Sequence, residues 1–132
     1  MSRAILDTHV LLWSMYRLRR LPPDVAAIIK DRSNELFFSA VSIWEIAIKR
    51  ALRRPDFNFD PSGVISDAAA MGFLELPVRA SAAGLVAILP AIHKDPFDRL
   101  LVAQAMSESA NLLTADRALE PYSTLVRAFD PQ

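Results

Sequence analysis

Short apolar runs, each followed by a longer amphipathic stretch, recur along the whole chain and leave few folds open to it. Residues 4–6 read as a first strand, with a helix over Thr8–Tyr16 behind it. Pro22 and Pro23 open a second helix, with Asp24 in its first turn, that runs to about Asp31. Proline suits the first helical position, and an acid suits the positive end of the helix dipole. Residues 35–38 are the second strand, and Ser39 or Ser42 caps a third helix reaching about Arg53. After a loop at 54–59, residues 62–71 are helical, Gly72 stops the helix, and 73–76 form the third strand. Residues 79–89 are predicted helical, 90–96 a loop and 97–109 a helix. Residues 112–114 are the fourth strand, 117–120 a short helix, and 125–128 the last strand. Strands that alternate with helices make βαβ units, so the expected architecture is an α/β domain.

At 132 residues the chain is expected to be one domain, residues 1–132, long enough to bury a core without staples. It has no Cys, which excludes disulfides, thiolate metal sites and cysteine nucleophiles. No apolar run approaches the roughly 18–20 residues of a membrane span, and no signal-peptide pattern is visible. The expected location is the cytoplasm. Hydrophobic residues make up 52% and mean hydropathy is +0.22. Values this high predict apolar surface left over for a partner chain. Lys plus Arg and Asp plus Glu are 15 each, so no basic excess announces nucleic acid. The cations nevertheless cluster, at Arg17, Arg19 and Arg20 and at Lys49, Arg50, Arg53 and Arg54. Such clusters serve as solvated helix faces or as phosphate contacts.

Against this pattern four acids stand out: Asp7, Glu45, Asp98 and Asp116. Asp7 ends the first apolar run and Asp116 ends Asn111-Leu112-Leu113-Thr114-Ala115. In parallel sheets ligands bind beyond the carboxyl ends of the strands, where both of these fall. Asp98 opens the segment Arg99-Leu100-Leu101-Val102-Ala103, and Glu45 interrupts Val41-Ser42-Ile43-Trp44-Glu45-Ile46-Ala47-Ile48. Carboxylates brought to short range cannot all stay ionised without a cation, and an all-oxygen set calls for magnesium or manganese. Each acid also has a plainer role. Asp7, Asp98 and Asp116 are all good helix or turn caps, with Asp98 the better cap for its helix and Asp95, before Pro96, a turn residue. Glu45 pairs with Lys49 at i,i+4 if that helix face is exposed. Its apolar neighbours favour burial and hence a partner or metal. If Glu45 belongs to the cluster, removing its charge is expected to relieve repulsion and stabilise the metal-free chain. His9 and His93 lack ligand spacing and read as structural or exposed.

Four blocks in order, Leu6-Asp7-Thr8-His9-Val10-Leu11-Leu12-Trp13, Ser42-Ile43-Trp44-Glu45-Ile46-Ala47-Ile48-Lys49, His93-Lys94-Asp95-Pro96-Phe97-Asp98-Arg99 and Leu113-Thr114-Ala115-Asp116, resemble a PIN-domain ribonuclease. The likeness is to the VapC-type toxins of toxin–antitoxin pairs, and Gly72-Phe73-Leu74-Glu75-Leu76-Pro77 extends it. The resemblance implies a three-layer α/β/α sandwich around a central, mainly parallel sheet of four to five strands. It also implies an Mg2+- or Mn2+-dependent endoribonuclease whose acidic quartet is Asp7, Glu45, Asp98 and Asp116. Asp95 matches a less essential acid. Many relatives carry Arg where this chain has Ala115, which removes an expected phosphate contact and leaves the carboxylate. Asp7 and Asp98 are the first choice as direct ligands, with Glu45 and Asp116 completing the shell or orienting water. Such toxins dimerise and are held inactive by a VapB-like antitoxin, so a homodimer, an antitoxin complex and an RNA substrate are expected. The interfaces would use the helix 10–16 and its neighbours. The rival is a non-catalytic PIN-like module that binds RNA or protein; a phosphatase or DNA nuclease is a third reading.

Overall fold

The computed structural model describes residues 2–132. At its centre lies a sheet of five strands: β1 Arg3–Leu6, β2 Glu35–Ser39, β3 Leu74–Leu76, β4 Asn111–Thr114 and β5 Val126–Ala128. Every pairing is parallel, in the order β3-β2-β1-β4-β5. The α-helices are α1 Thr8–Tyr16, α2 Pro23–Lys30, α3 Ala40–Ala51, α4 Pro61–Ala70, α5 Ala80–Leu85 and α6 Pro96–Glu108. Side chains alternate across the sheet, so each strand feeds two cores. Ala4, Leu6 and Leu113 enter one, closed by Val10 and Leu11 of α1, Val25 and Ile29 of α2, and Val64 of α4. Ile5 and Leu112 enter the other, closed by Leu101, Val102 and Ala105 of α6. A sheet covered on both faces needs strands that are apolar throughout, which is why β1 and β4 read as unbroken apolar runs. The result is a three-layer α/β/α sandwich.

Departures from the sequence reading are local. Asp95, not Asp98, caps α6: its Oδ1 accepts from Phe97 N–H at 2.8 Å and Asp98 N–H at 3.2 Å. Proline at the first helical position moves the cap one residue before it. The helix expected over 79–89 stops at Leu85 and becomes a 3₁₀ turn, Val86–Ile88. Gly84 weakens it, and Arg99 of α6 draws the carbonyls of Val86 and Pro90, at 3.2 and 2.9 Å. In α1, Val10, Leu11 and Leu12 are buried within the chain, so this helix spends most of its apolar surface internally. Tyr16 at its end stays exposed, and more exposed apolar residues lie beyond α1, at Trp44, Leu52 and Ile88. No helix among the described residues is long and apolar enough to cross a membrane.

Connections run from β1 outward to β2 and β3, then cross back to β4 and β5. The order therefore reverses between β1 and β4, and the crevice of the fold opens at their carboxyl ends. There the Asp7 N–H donates to the Leu113 carbonyl at 3.0 Å.

Candidate metal centre

Asp7 follows β1 directly and caps α1, its Oδ1 accepting from Val10 N–H at 2.9 Å. A residue that ends a strand and starts a helix has little freedom, and Asp7 is buried. Asp116 holds the matching place after β4. Thr114 Oγ1 accepts its N–H at 3.0 Å, and its Oδ1 accepts from Ala118 N–H at 3.0 Å. That second bond caps a 3₁₀ turn, Arg117–Tyr122. Because Asp95 caps α6, the Asp98 carboxylate in its first turn is left to face the crevice. Glu45, 4% exposed, reaches in from α3. Thr8 Oγ1 donates to its Oε1 at 2.5 Å, and Lys49 Nζ pairs with its Oε2. The i,i+4 pair therefore forms, but with side-chain exposures of 18% for Lys49 and 5% for Glu45 it is a buried pair.

All four predicted acids line one pocket of about 270 Å³, together with Thr8, Lys49 and Asp95. Crowding shows in their protonation. Burial first, and then the charges of Asp95, Asp7, Glu45 and Asp116, push Asp98 from 3.8 up to about 8. Burial also raises Asp7, against hydrogen bonds from Thr114 and Val10 N–H and the charge of His9. Both raised carboxyls would release protons more readily with a cation bound among them. Asp98, Asp116 and His93 each place one ligand-type atom within 4.8 Å of the others; oxygen donors are what a hard divalent ion takes, and Lys49 alone is too little charge to balance four carboxylates.

Two residues at the pocket are not among the predicted site residues. Lys49 is legible only as the i+4 partner of Glu45. His93, read from the sequence as structural or exposed, places Nε2 2.9 Å from Asp116 Oδ2 and 3.9 Å from Asp98 Oδ2. It lies 23 residues from Asp116, so no local spacing reveals the contact. His9 is exposed and packs on Trp13 and Phe57. It also lines a larger cavity of about 740 Å³ beside the acidic pocket, with Trp13, Tyr16, Arg17, Arg19 and Arg20. The Arg20 guanidinium lies 4.9 Å from the Trp13 ring centre. Of the second basic cluster, Lys49 turns inward while Arg50, Arg53 and Arg54 line a surface cavity of about 500 Å³.

Fold and pocket together define a class: doubly wound α/β domains with a carboxylate cluster at the point where strand order reverses. The chain belongs to the PIN-domain family, whose model matches residues 4–124. Similar solved structures include VapBC2 from Rickettsia felis bound to a DNA fragment from its promoter, at 12% identity and a TM-score of 0.67, covering 98% of this chain and 99% of that one. FitAcB from Neisseria gonorrhoeae is 19% identical, with a TM-score of 0.60 and 96% of each chain covered. A domain of a functionally unknown protein from Methanocaldococcus jannaschii is 13% identical, with a TM-score of 0.61, covering 98% of this chain and 92% of that one. At these identities the likeness speaks for the fold. No curated protein matches the chain in sequence.

Proposed function

We propose that this chain is a metal-dependent endoribonuclease, the toxin of a toxin–antitoxin pair, hydrolysing RNA phosphodiester bonds at Asp7, Glu45, Asp98 and Asp116. The observation that carries this reading is the convergence of Asp7, Glu45, Asp98 and Asp116 on one pocket at the sheet's crevice, where burial first and then the neighbouring acids raise Asp98 to about 8. A pure binding module has no use for such a cluster. Asp7 and Asp98 are the direct holders of Mg2+ or Mn2+, and Glu45 and Asp116 complete the shell or orient the attacking water. A divalent ion bound there supplies Lewis acidity toward the scissile phosphate and lowers the pKa of water. Arg17, Arg19 and Arg20, along the cavity that shares His9 with the pocket, suit the flanking phosphates of a strand.

Cleavage of an RNA oligonucleotide, the same sequence as DNA, and a small phosphate ester, each with manganese or chelator, tests the reaction. RNA cut only with metal supports the proposal; equal cutting of DNA, or hydrolysis of the small ester alone, replaces it. The toxin role draws on the VapC-type resemblance and on the similar solved structures VapBC2 and FitAcB. A cytoplasmic homodimer bound to a VapB-like antitoxin follows from that role, and exposed Trp44 and Leu52 supply apolar surface for it. A short upstream reading frame encoding a small DNA-binding protein supports the pairing.

A further inference from the structure

His93 stands on the loop before α6, and the loop is tied down from several sides. Its backbone N–H donates to Tyr122 Oη at 2.8 Å. The same hydroxyl accepts from Arg99 Nη1 at 3.0 Å, and Arg99 also donates to the Pro90 carbonyl at 2.9 Å. The ring is held as firmly as the backbone. The Asp95 backbone N–H donates to His93 Nδ1 at 3.1 Å. A backbone amide can only donate, so Nδ1 presents its lone pair and the proton of the neutral ring sits on Nε2. Nε2 lies 2.9 Å from Asp116 Oδ2, the length of a nitrogen donating to a carboxylate. The other oxygen of Asp116 already accepts from Ala118 N–H. With both oxygens engaged, the plane of this carboxylate is set.

We infer that His93 is a positioning residue, donating its Nε2–H to Asp116 and fixing how that carboxylate faces the pocket, and that it is not a nitrogen ligand. A ring nitrogen coordinates through a lone pair, and neither has one to spare: Nδ1 accepts from Asp95 and Nε2 donates to Asp116. The centre therefore stays all-oxygen, the donor set of a hard ion. Partners that orient a ligand without touching the metal commonly govern affinity by about 10–100-fold.

The metal arm of the test rests on the proposed metal-dependent reading; the first arm stands without it. Long-range nitrogen–proton NMR on the metal-free wild-type chain should find His93 protonated at Nε2 and bare at Nδ1. A proton on Nδ1 overturns the assignment. Manganese affinity is then measured by calorimetry for H93Q and H93A, with melting curves to establish folding. Gln presents an N–H near the place of Nε2 but has no ring lone pair. H93A should bind about tenfold more weakly or worse, while H93Q keeps most of the wild-type affinity. Equal loss in both variants makes His93 a ligand, and no loss in either makes it structural; both results sink the inference. Wild-type protein that binds no manganese refutes the metal reading instead, and the NMR arm still decides the tautomer.

Discussion

Replacing Asp98 by Asn should make the metal-free protein more stable, by an amount that grows with pH. Asp98 ordinarily titrates near 3.8 but is held at about 8 in the fold, first by burial and then by its four acidic neighbours. In the unfolded chain it is ionised at pH 7, so folding must take up a proton. At ~1.36 kcal/mol per unit, the whole shift would cost about 4 kcal/mol at pH 7. Some 21% of the side chain is open to solvent, and the neighbours share the proton load, so we expect about 1–3 kcal/mol. Asn pays none of this, and the helix-terminus attraction it forgoes is smaller, about 0.3–1 kcal/mol. A folded pKa raised above the unfolded one means stability that is intact below pH 4 and is lost as pH climbs toward 8. The two proteins should therefore melt together near pH 4. At pH 7 in chelator, Asp98→Asn should lead by about 3–12 °C, at roughly 3–4 °C per kcal/mol for a chain of this size, and by more at pH 8. Saturating manganese should reverse the ranking, because binding stabilises the native state by RT ln(1 + [L]/Kd) and the variant binds weakly. Circular-dichroism melts across pH, with chelator and with manganese, make the measurement. A variant that melts at or below wild type at pH 8 in chelator, or a gap that ignores pH, refutes the reasoning.

Asp7→Asn should end RNA cleavage and leave the chain folded, because Asn also caps helices; cutting at the wild-type rate in magnesium would remove Asp7 from the site. Glu45→Gln should move stability the other way from Asp98→Asn, lowering the metal-free stability by about 1–3 kcal/mol, since it strips a mostly buried Lys49 of its anion. This reverses the expectation from the acidic cluster alone, and a stabilised Glu45→Gln protein would restore that expectation. Arg19→Ala and Arg20→Ala should each weaken RNA binding and lower its salt slope by about one, leaving kcat unchanged; filter binding across a salt series reads this out. Expression of the chain alone should arrest growth, and co-expression of the small upstream protein should relieve it.

The order of elements was legible because both sheet faces are covered. Each strand is then a short apolar run and each helix a longer amphipathic one, so periodicity and length separate them without ambiguity at β1, β2 and β4. The places where reading and structure differ are those where a distant side chain intervenes. Nothing within residues 79–89 announces that Arg99 will take the Val86 carbonyl. Nor does the apolar helix 8–16 say how much of itself the sheet, α3 and α4 will cover.

For the site, the same distinction cuts deeper. Asp7 and Asp116 could be placed from the chain alone, since a residue just beyond a parallel strand is at the crevice wherever the strand lies in the sheet. Glu45 was marked by burial: an acid among Ile43, Trp44, Ile46 and Ile48 must have a partner. That argument could not tell Lys49 from a metal ion, and in the fold Lys49 and Thr8 hold the two oxygens of Glu45 in the wall of a pocket that both of them also line. Asp98 became a pocket residue only because Asp95 took the cap, a choice settled by Pro96 at the first helical position. His93 was beyond reach altogether. Its role depends on a loop pinned by Tyr122 and Arg99 and on an amide proton at Nδ1, contacts that join residues 23 or more apart or that fix a tautomer. Residues that supply charge announce themselves by type and position, whereas residues that aim the charge are found only once the chain has closed on itself.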